Sequence, residues 1–242
     1  MSTTPNAPAV YNRKYEINIG TTGSPDWLEI AEGIDSIKPQ FKENVETNQF
    51  ISGKGMADTE IYGAVESFQF TGKRRMADPA QNFIFSNAVK RAFGASRHLP
   101  FRITDFDGST LVWDATLANI DDQGGKAAEG EGISFEVFAN GQPVYAPAVG
   151  ALTVVSVAGS TSGDTSIYVN PAKTGSNSYF YKTAASVSLP QGSDVISTGN
   201  GYTTWDGLAQ IAATTGNQIL IVEASTAGAP VNAGIATVTS KA

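Results

Sequence analysis

The sequence predicts a mainly β protein of two modules: a β-sandwich or barrel with one flanking α-helix, then an immunoglobulin-like β-sandwich. Before residue 150, short segments alternate apolar and polar residues with a period of two, which is typical of strands with one buried face. The composition then changes, because the first 150 residues hold 13 basic and 19 acidic residues whereas the last 92 hold 3 and 4. Ser, Thr, Gly and Ala fill 49 of those last 92 positions. This contrast predicts a module boundary near Gly150.

Six alternating segments predict the strands of the first module, residues 13–142. Apolar side chains occupy every second position, and polar residues such as Ser134 lie between them. Six strands with one polar face each favour an antiparallel barrel or sandwich. The apolar positions are Tyr15, Ile17 and Ile19; Leu28 and Ile30; Phe68 and Phe70; Phe101 and Ile103; Leu111, Trp113, Ala115 and Leu117; and Ile133, Phe135 and Val137.

One helix is predicted between these strands, over residues 79–93. Asp78 is a suitable N-cap, Pro79 suits the first helical turn, and Gly94 suits the left-handed position after the last turn. Apolar residues at helical spacing predict one face packed on the sheet, with Lys90 and Arg91 pointing outward. The apolar residues are Ile84, Phe85, Ala88, Val89 and Ala92.

Alternation is missing between Phe41 and Tyr62. A stretch of about 20 residues without periodicity is uncommon in a compact domain and indicates a functional loop or one ordered by a partner. The segment contains charges, two glycines and scattered apolar residues. Two interpretations stay open here, a mobile surface loop and a loop ordered on a neighbouring subunit.

The second module, residues 151–242, follows a predicted extended linker at residues 143–150 that contains two prolines. Short β runs separated by Gly and Ser clusters predict seven or eight strands, a number that suits an immunoglobulin-like domain. Trp205, with Tyr202, has two interpretations: an anchor of the module's core, which the sequence favours, or an exposed sugar-binding platform. At the other end of the chain, residues 1–12 form a proline-containing N-terminal arm that either drapes over a neighbouring subunit or stays disordered.

The residue inventory excludes several classes of function. The chain has no cysteine, so disulfides, thiol nucleophiles and cysteine-ligated zinc are excluded. His98 is the only histidine and no nucleophile motif surrounds it. The turn at Asp105–Ser109 has Thr116 where a calcium loop needs its final glutamate, so a hairpin turn is predicted there. The sequence therefore predicts no enzyme, no metal site and no cofactor.

Charge and hydropathy narrow the partners further. A net charge of −7 disfavours a sequence-independent grip on DNA, which needs an excess of Lys and Arg. No apolar run is long enough to span a membrane, and the opening residues lack the pattern of a cleaved signal. We therefore expect no membrane insertion by this chain.

The order of these features resembles the major tail tube proteins of long-tailed, siphovirus-type bacteriophages, which are related to contractile-tail and type VI secretion tubes. The resemblance covers about residues 13–147. It rests on IKPQF at 37–41, the long loop, FQFTGKR at 68–74, DPAQ at 78–81, the glycine pair at 124–125 and ISFEVFANGQP at 133–143.

The resemblance implies packed β-sheets flanked by a helix, with six copies closing into a ring and rings stacking into a hollow tube through which DNA passes. It implies the tape measure protein, the tail terminator and tail-tip or baseplate proteins as further partners. The virion tail is the implied location, after synthesis and assembly in the host cytoplasm, and the second module is placed outside the tube. Two alternatives stay open: the inner tube of a contractile tail or bacteriocin, and a surface or carbohydrate-binding β-module protein.

The resemblance also assigns candidate site residues. In such tubes the long loop reaches toward the adjacent ring, so an inter-ring stacking role is carried onto residues of the loop. Acidic residues on the polar faces of predicted strands are candidates for the channel lining, because like charge keeps DNA from adhering; ordinary solvated surface is the alternative for each. The stacking residues are Asn44, Val45, Glu46, Phe50, Ile51, Gly53, Lys54, Gly55, Met56, Asp58 and Glu60, and the channel candidates are Glu16, Glu66, Asp114 and Glu136.

Overall fold

The computed structural model describes residues 12–21, 24–125 and 129–242. The predicted N-terminal arm, apart from Asn12, lies outside these residues. The described chain forms two compact units. The first comprises residues up to Gly20, Asp26–Ile103 and Val112–Val144, and the second comprises Thr21–Pro25, Thr104–Leu111 and Tyr145–Ala242.

The first unit contains one seven-stranded sheet with the order β2-β1-β5-β6-β7-β4-β3. The alternating segments predicted as strands lie in six of the seven, and β3 is the additional strand. The last strand also continues through the first half of the predicted linker. The strands are β1 (Lys14–Asn18), β2 (Trp27–Glu29), β3 (Ile34–Gln49), β4 (Ala57–Lys73), β5 (His98–Thr104), β6 (Thr110–Gly124) and β7 (Gly132–Ala146).

The sheet curls so that its apolar face closes on itself. Tyr15 in β1 and Phe70 in β4 are four strands apart in the sheet order, which is roughly 19 Å in a flat sheet. Their ring centroids are nevertheless only 5.7 Å apart, and those of Phe68 and Phe101 are 5.2 Å apart. Phe70 also stacks on Phe135 at 4.9 Å. The alternating apolar residues thus form one aromatic core, and the predicted mainly β class is confirmed.

The single predicted helix over residues 79–93 is wrong in extent. The structure has two short helices instead, α1 (Pro79–Ile84) and α2 (Asn87–Lys90). Asp78 caps α1 as predicted, accepting from the Gln81 amide at 2.7 Å. Ser86 then adopts an extended conformation and its hydroxyl accepts from the Val89 amide, so it begins a second helix instead of continuing the first. Apolar periodicity alone does not reveal this competing cap.

The second unit is a sandwich of a three-stranded sheet, β13-β10-β9, and a five-stranded sheet, β12-β11-β14-β15-β8. Its eight strands match the predicted number, whereas the immunoglobulin-like assignment stays a prediction. The short first strand pairs in parallel with β15. The strands are β8 (Gly150–Ala151), β9 (Thr153–Ala158), β10 (Asp164–Asn170), β11 (Ser178–Ala184), β12 (Thr203–Trp205), β13 (Ile211–Ala212), β14 (Gln218–Ala224) and β15 (Pro230–Thr237).

A buried carboxylate holds one loop of this sandwich. Glu223 in β14 is fully buried and accepts hydrogen bonds from the Thr174 amide at 2.6 Å, Asn177 Nδ2 at 2.7 Å and Asn232 Nδ2 at 2.6 Å. Burial opposes ionisation, but these hydrogen bonds and the charge of Lys173 outweigh it, so the pKa of Glu223 is lowered. The ionised carboxylate therefore stabilises the fold of this unit.

Acidification is expected to destabilise the second unit through Glu223. A carboxyl group whose pKa is lower in the folded state contributes stability above its unfolded pKa, near 4.5, and loses it as the pH falls through the folded pKa. Glu223→Gln should cost about 1–3 kcal/mol at pH 7 and flatten this acid limb. Thermal unfolding of wild type and variant from pH 7 to pH 3 measures both effects. Parallel curves for the two proteins would contradict the assignment.

Candidate self-assembly surface

The segment predicted as an irregular loop is a long β-hairpin, so that expectation is corrected. β3 and β4 pair in antiparallel register as far as Gln49 opposite Ala57. The pairing of β4 with β7 ends earlier, at Ser67 opposite Phe138. Residues 41–66 therefore form a two-stranded ribbon in which β4 no longer pairs with β7, and we call them the ribbon.

The ribbon was missed because neither of its faces is buried. Alternation marks a strand only when one face packs on a core, and almost every ribbon residue is exposed. The signal that could have found it is β propensity, since Val45, Thr47, Thr59, Ile61 and Tyr62 are all strand formers.

The two faces of the ribbon differ in chemistry. Val45 lies opposite Ile61, and Thr47 lies opposite Thr59 with their hydroxyl oxygens 3.3 Å apart, which defines an apolar ribbon face. On the other side Glu46 lies opposite Glu60, and Asn48 lies opposite Asp58. We call Glu46, Asp58 and Glu60 the acidic ribbon face.

The apolar ribbon face continues the core-facing side of the sheet. By register, Phe41 and Val45 lie on the same side as Ile37, which pairs with the buried Phe70. In the ribbon, however, Phe41 is 65% exposed, Val45 54% and Ile61 61%. In the ribbon, no other part of the described unit covers this apolar face. An exposed apolar patch of this kind marks an interaction surface.

The tip of the ribbon is a short 3-10 turn over Ile51–Gly53. The left-handed positions are Lys54 (φ 50°) and Gly55 (φ 88°), so Gly55 supplies the backbone freedom that the turn needs. Gly53, a candidate stacking residue, lies in the 3-10 turn itself. Phe50 and Met56 flank the turn and are exposed, as is Ile51, which is 100% exposed. The tip is therefore apolar.

The structure separates the four candidate channel residues. Glu16 is buried: its carboxylate lies 2.8 Å from Arg102 Nε, and Trp27 stacks on that guanidinium at 4.2 Å. Its placement in a channel lining is therefore wrong. Glu66 pairs with Phe41 on the core-facing side of the ribbon base, where partial burial raises its pKa.

The other two candidates share the polar face of the sheet. Asp114 is exposed, and its side chain lies on the face of β6 opposite to that of its buried neighbours Trp113 and Ala115. Glu136 accepts hydrogen bonds from Ser67 at 2.8 Å and from Asn119 at 2.7 Å. Because Asn119 contacts Glu136, Asp114 lies roughly 17 Å away along β6. They supply two separate negative charges on one face.

The second unit gives no support to a sugar platform at Trp205. This side chain is only 7% exposed, packs against Tyr179 with ring centroids 5.5 Å apart, and donates its Nε1 proton to the Ala209 carbonyl at 2.8 Å. It is the core anchor that the sequence favoured. Tyr202, its proposed companion, is half-buried with Lys182 Nζ 5.3 Å from its ring centroid.

The described part of the chain contains no group of three or more His, Asp or Glu side chains arranged to hold a metal ion. None of its helices is long and apolar enough to cross a membrane.

No protein-family profile and no curated protein matches the sequence. Among solved structures, the chain is similar to one in the C6-symmetric tail of an empty gene transfer agent particle, with 16% identity and a TM-score of 0.44 over 57% of this chain and 98% of that chain. It is similar to the tube-terminating cap of the anti-feeding prophage, with 9% identity and a TM-score of 0.40 over 61% and 97%. It is also similar to the SPP1 Dit protein, with 10% identity and a TM-score of 0.31 over 90% and 84%. These structures come from a tail, a tube cap and a phage adsorption apparatus.

Proposed function

We propose that this chain is a structural tail tube protein that assembles into stacked rings around a channel for DNA. One observation carries the proposal. The core-facing side of the sheet continues into the ribbon, where the rest of the described unit does not cover it, so Phe41, Val45 and Ile61 are exposed. A second copy that packs on this face removes that apolar area from water.

The edges of the sheet support ring closure. β3 is an edge strand of 16 residues, long enough to pair with another chain, whereas the opposite edge strand β2 has three residues. Open edges of this length invite β pairing, and a closed ring satisfies them without unlimited lateral growth. Six copies per ring is the number that the family resemblance implies.

The charges fit a channel through which DNA slides without adhering. Asp114 and Glu136 lie on the polar face of the sheet, and the chain carries a net charge of −7. We propose this face, with Asp114 and Glu136, as the channel lining. Glu16 is no longer a candidate because it is buried, and Glu66 is assigned to the apolar ribbon face, where a second copy packs. Like charge lowers the affinity of the wall for phosphate.

The partners follow from the same assembly. A tape measure protein would occupy the channel during assembly, a terminator would close one end, and tail-tip or baseplate proteins would nucleate the other. The residues of the ribbon, from Asn44 to Glu60, are proposed as the inter-ring contact. The virion tail is the proposed location.

Electron microscopy of the purified chain tests the proposal. At high concentration, negative-stain images should show hollow rings or tubes, and truncation after Gly150 should remove outward projections while the tubes persist. If the wild-type chain stays monomeric at every concentration and also when tail-tip components are added, the proposal is overturned.

A further inference from the structure

One corner of the first unit carries basic side chains without acidic partners. Residues 79–104 contain no Asp or Glu. Of their cations, Arg102 pairs with Glu16 and Lys90 pairs with Asp122. Arg91 instead bonds Asn87 Oδ1 at 3.4 Å, and Arg97 donates from Nη2 to the Lys90 carbonyl at 2.5 Å. Within the described residues, neither guanidinium has a carboxylate partner.

An apolar side chain lies between these two cations in the sequence. Phe93 is 87% exposed, although it immediately precedes the left-handed Gly94 and the 3-10 turn Gly94–Arg97. A large aromatic side chain this exposed, flanked by two arginines, has the composition typical of interface anchors. We call Arg91, Phe93 and Arg97 the basic corner.

The acidic ribbon face has the complementary character. It carries Glu46, Asp58 and Glu60, with one cation, Lys42, nearer the base of the ribbon on the same side. Glu46 and Glu60 lie directly opposite each other across the strands, an arrangement that destabilises an isolated hairpin. Tyr62 donates to Glu60, but the described chain places no cation against either glutamate. A cation from a partner would relieve this repulsion.

The two surfaces lie at opposite ends of the sheet. The ribbon begins at the end of the sheet where Ser67 of β4 pairs with Phe138 of β7. At the other end of this strand pair, Lys73 lies opposite Gly132. The last residues of β6 lie at the same end, since Gln123 contacts Gly132. Lys90, which bonds Asp122 in β6, places the corner at this second end. One copy cannot bring its own two surfaces together.

We infer that the acidic ribbon face of one copy docks on the basic corner of a second copy, so that copies join head to tail. Complementary surfaces at opposite ends of one chain make a heterologous contact, which propagates along an axis. The apolar tip, with Ile51 and Met56, meets Phe93 in this contact, and a Met–aromatic pair is favourable. The inference rests on the proposed tube function and assigns its inter-ring contact.

Charge reversal tests the contact. Arg91→Glu with Arg97→Glu should leave rings intact but raise the concentration needed for tube growth at least about tenfold, because every copy in a ring repeats the repulsion. Glu46→Arg with Glu60→Arg should do the same. The four substitutions together should restore tubes, since the charges are complementary again. Sedimentation and negative-stain imaging at low salt give the readout.

Two further variants keep the test decisive. Lys182→Glu with Lys241→Glu changes the net charge equally at exposed positions of the second unit and should leave tube growth unaltered. Arg91→Glu with Phe93→Ser alters only exposed side chains, so it covers the case in which the half-buried Arg97 is needed for folding. If wild type forms tubes and these corner variants still form them at the same concentration, the docking inference fails while the tube function stands. Failure of wild type to assemble, also when tail-tip components are added, overturns both.

Discussion

Excising the ribbon is expected to abolish assembly while leaving the first unit folded. The variant joins Asn44 to Gly63, which face each other in register, through an Asn-Gly turn. It removes the exposed apolar side chains Val45, Ile51 and Ile61 but none of the buried aromatic core. We expect no rings or tubes at any accessible concentration, with a change in the free energy of unfolding of less than about 1 kcal/mol.

The measurement pairs light scattering and electron microscopy with thermal unfolding. The matched control is Val155→Thr with Tyr168→Thr, which removes exposed apolar side chains from the second unit, where the two residues face each other across β9 and β10. This control should still form tubes. Tubes from the excised chain would rule out the ribbon as the assembly surface.

A point variant sharpens the same test. Val45→Asp with Ile61→Asp places two charges on the apolar ribbon face without shortening the chain. Burying an unpaired carboxylate in an interface costs several kcal/mol, so this change alone should prevent assembly. If only excision has an effect, the acidic ribbon face and the tip carry the contact, and the apolar ribbon face does not.

The parts of the fold that could be predicted are those in which local pattern and burial agree. Ile133, Phe135 and Val137 alternate in the sequence and point into the core, because β7 has one buried face. Trp205 was placed in a core for a similar reason: a large aromatic residue in a small sandwich is a natural anchor. Where one face of an element packs on its own chain, its apolar residues recur with the period of that element.

The ribbon and the helices were mispredicted for opposite reasons. The ribbon has no periodicity because neither of its faces is buried within the described chain, so an ordered strand pair resembled a loop. The helical segment does have apolar periodicity, but Ser86 offers a capping hydrogen bond that ends one helix and begins another. Local competition between two caps is invisible to a pattern that counts only apolar positions.

Glu16 illustrates what depends on distant residues. Alternation placed it correctly on the side of β1 away from Tyr15 and Ile17. Its neighbours on that side, however, are Arg102, 86 residues later in the chain, and Trp27 from β2. Together with Lys14, whose Nζ lies 2.7 Å from the carboxylate, they turn a surface position into a buried ion pair. The burial of Glu16 therefore depends on which strands pair with β1, and the sequence of β1 alone does not specify that pairing.

Breaking this ion pair is expected to be strongly destabilising. The side chains of Glu16 and Arg102 are each only 3% exposed, so Glu16→Gln removes the charge of a buried carboxylate that lies against a buried guanidinium. We expect a loss of about 3–5 kcal/mol in the free energy of unfolding of the first unit. Chemical denaturation followed by the fluorescence of Trp27 and Trp113 measures it.

Two comparisons separate charge burial from other effects. Glu32→Gln removes one partner of the exposed pair between Glu32 and Arg75, whose atoms are 3.8 Å apart, and should cost less than about 1 kcal/mol. Glu16→Leu with Arg102→Met replaces both charges by apolar groups and should recover most of the loss. If the double variant is as unstable as Glu16→Gln, the pair stabilises the sheet by its hydrogen-bond geometry and not only by balancing two buried charges. That outcome would contradict the desolvation argument, because two apolar side chains leave no buried charge to penalise.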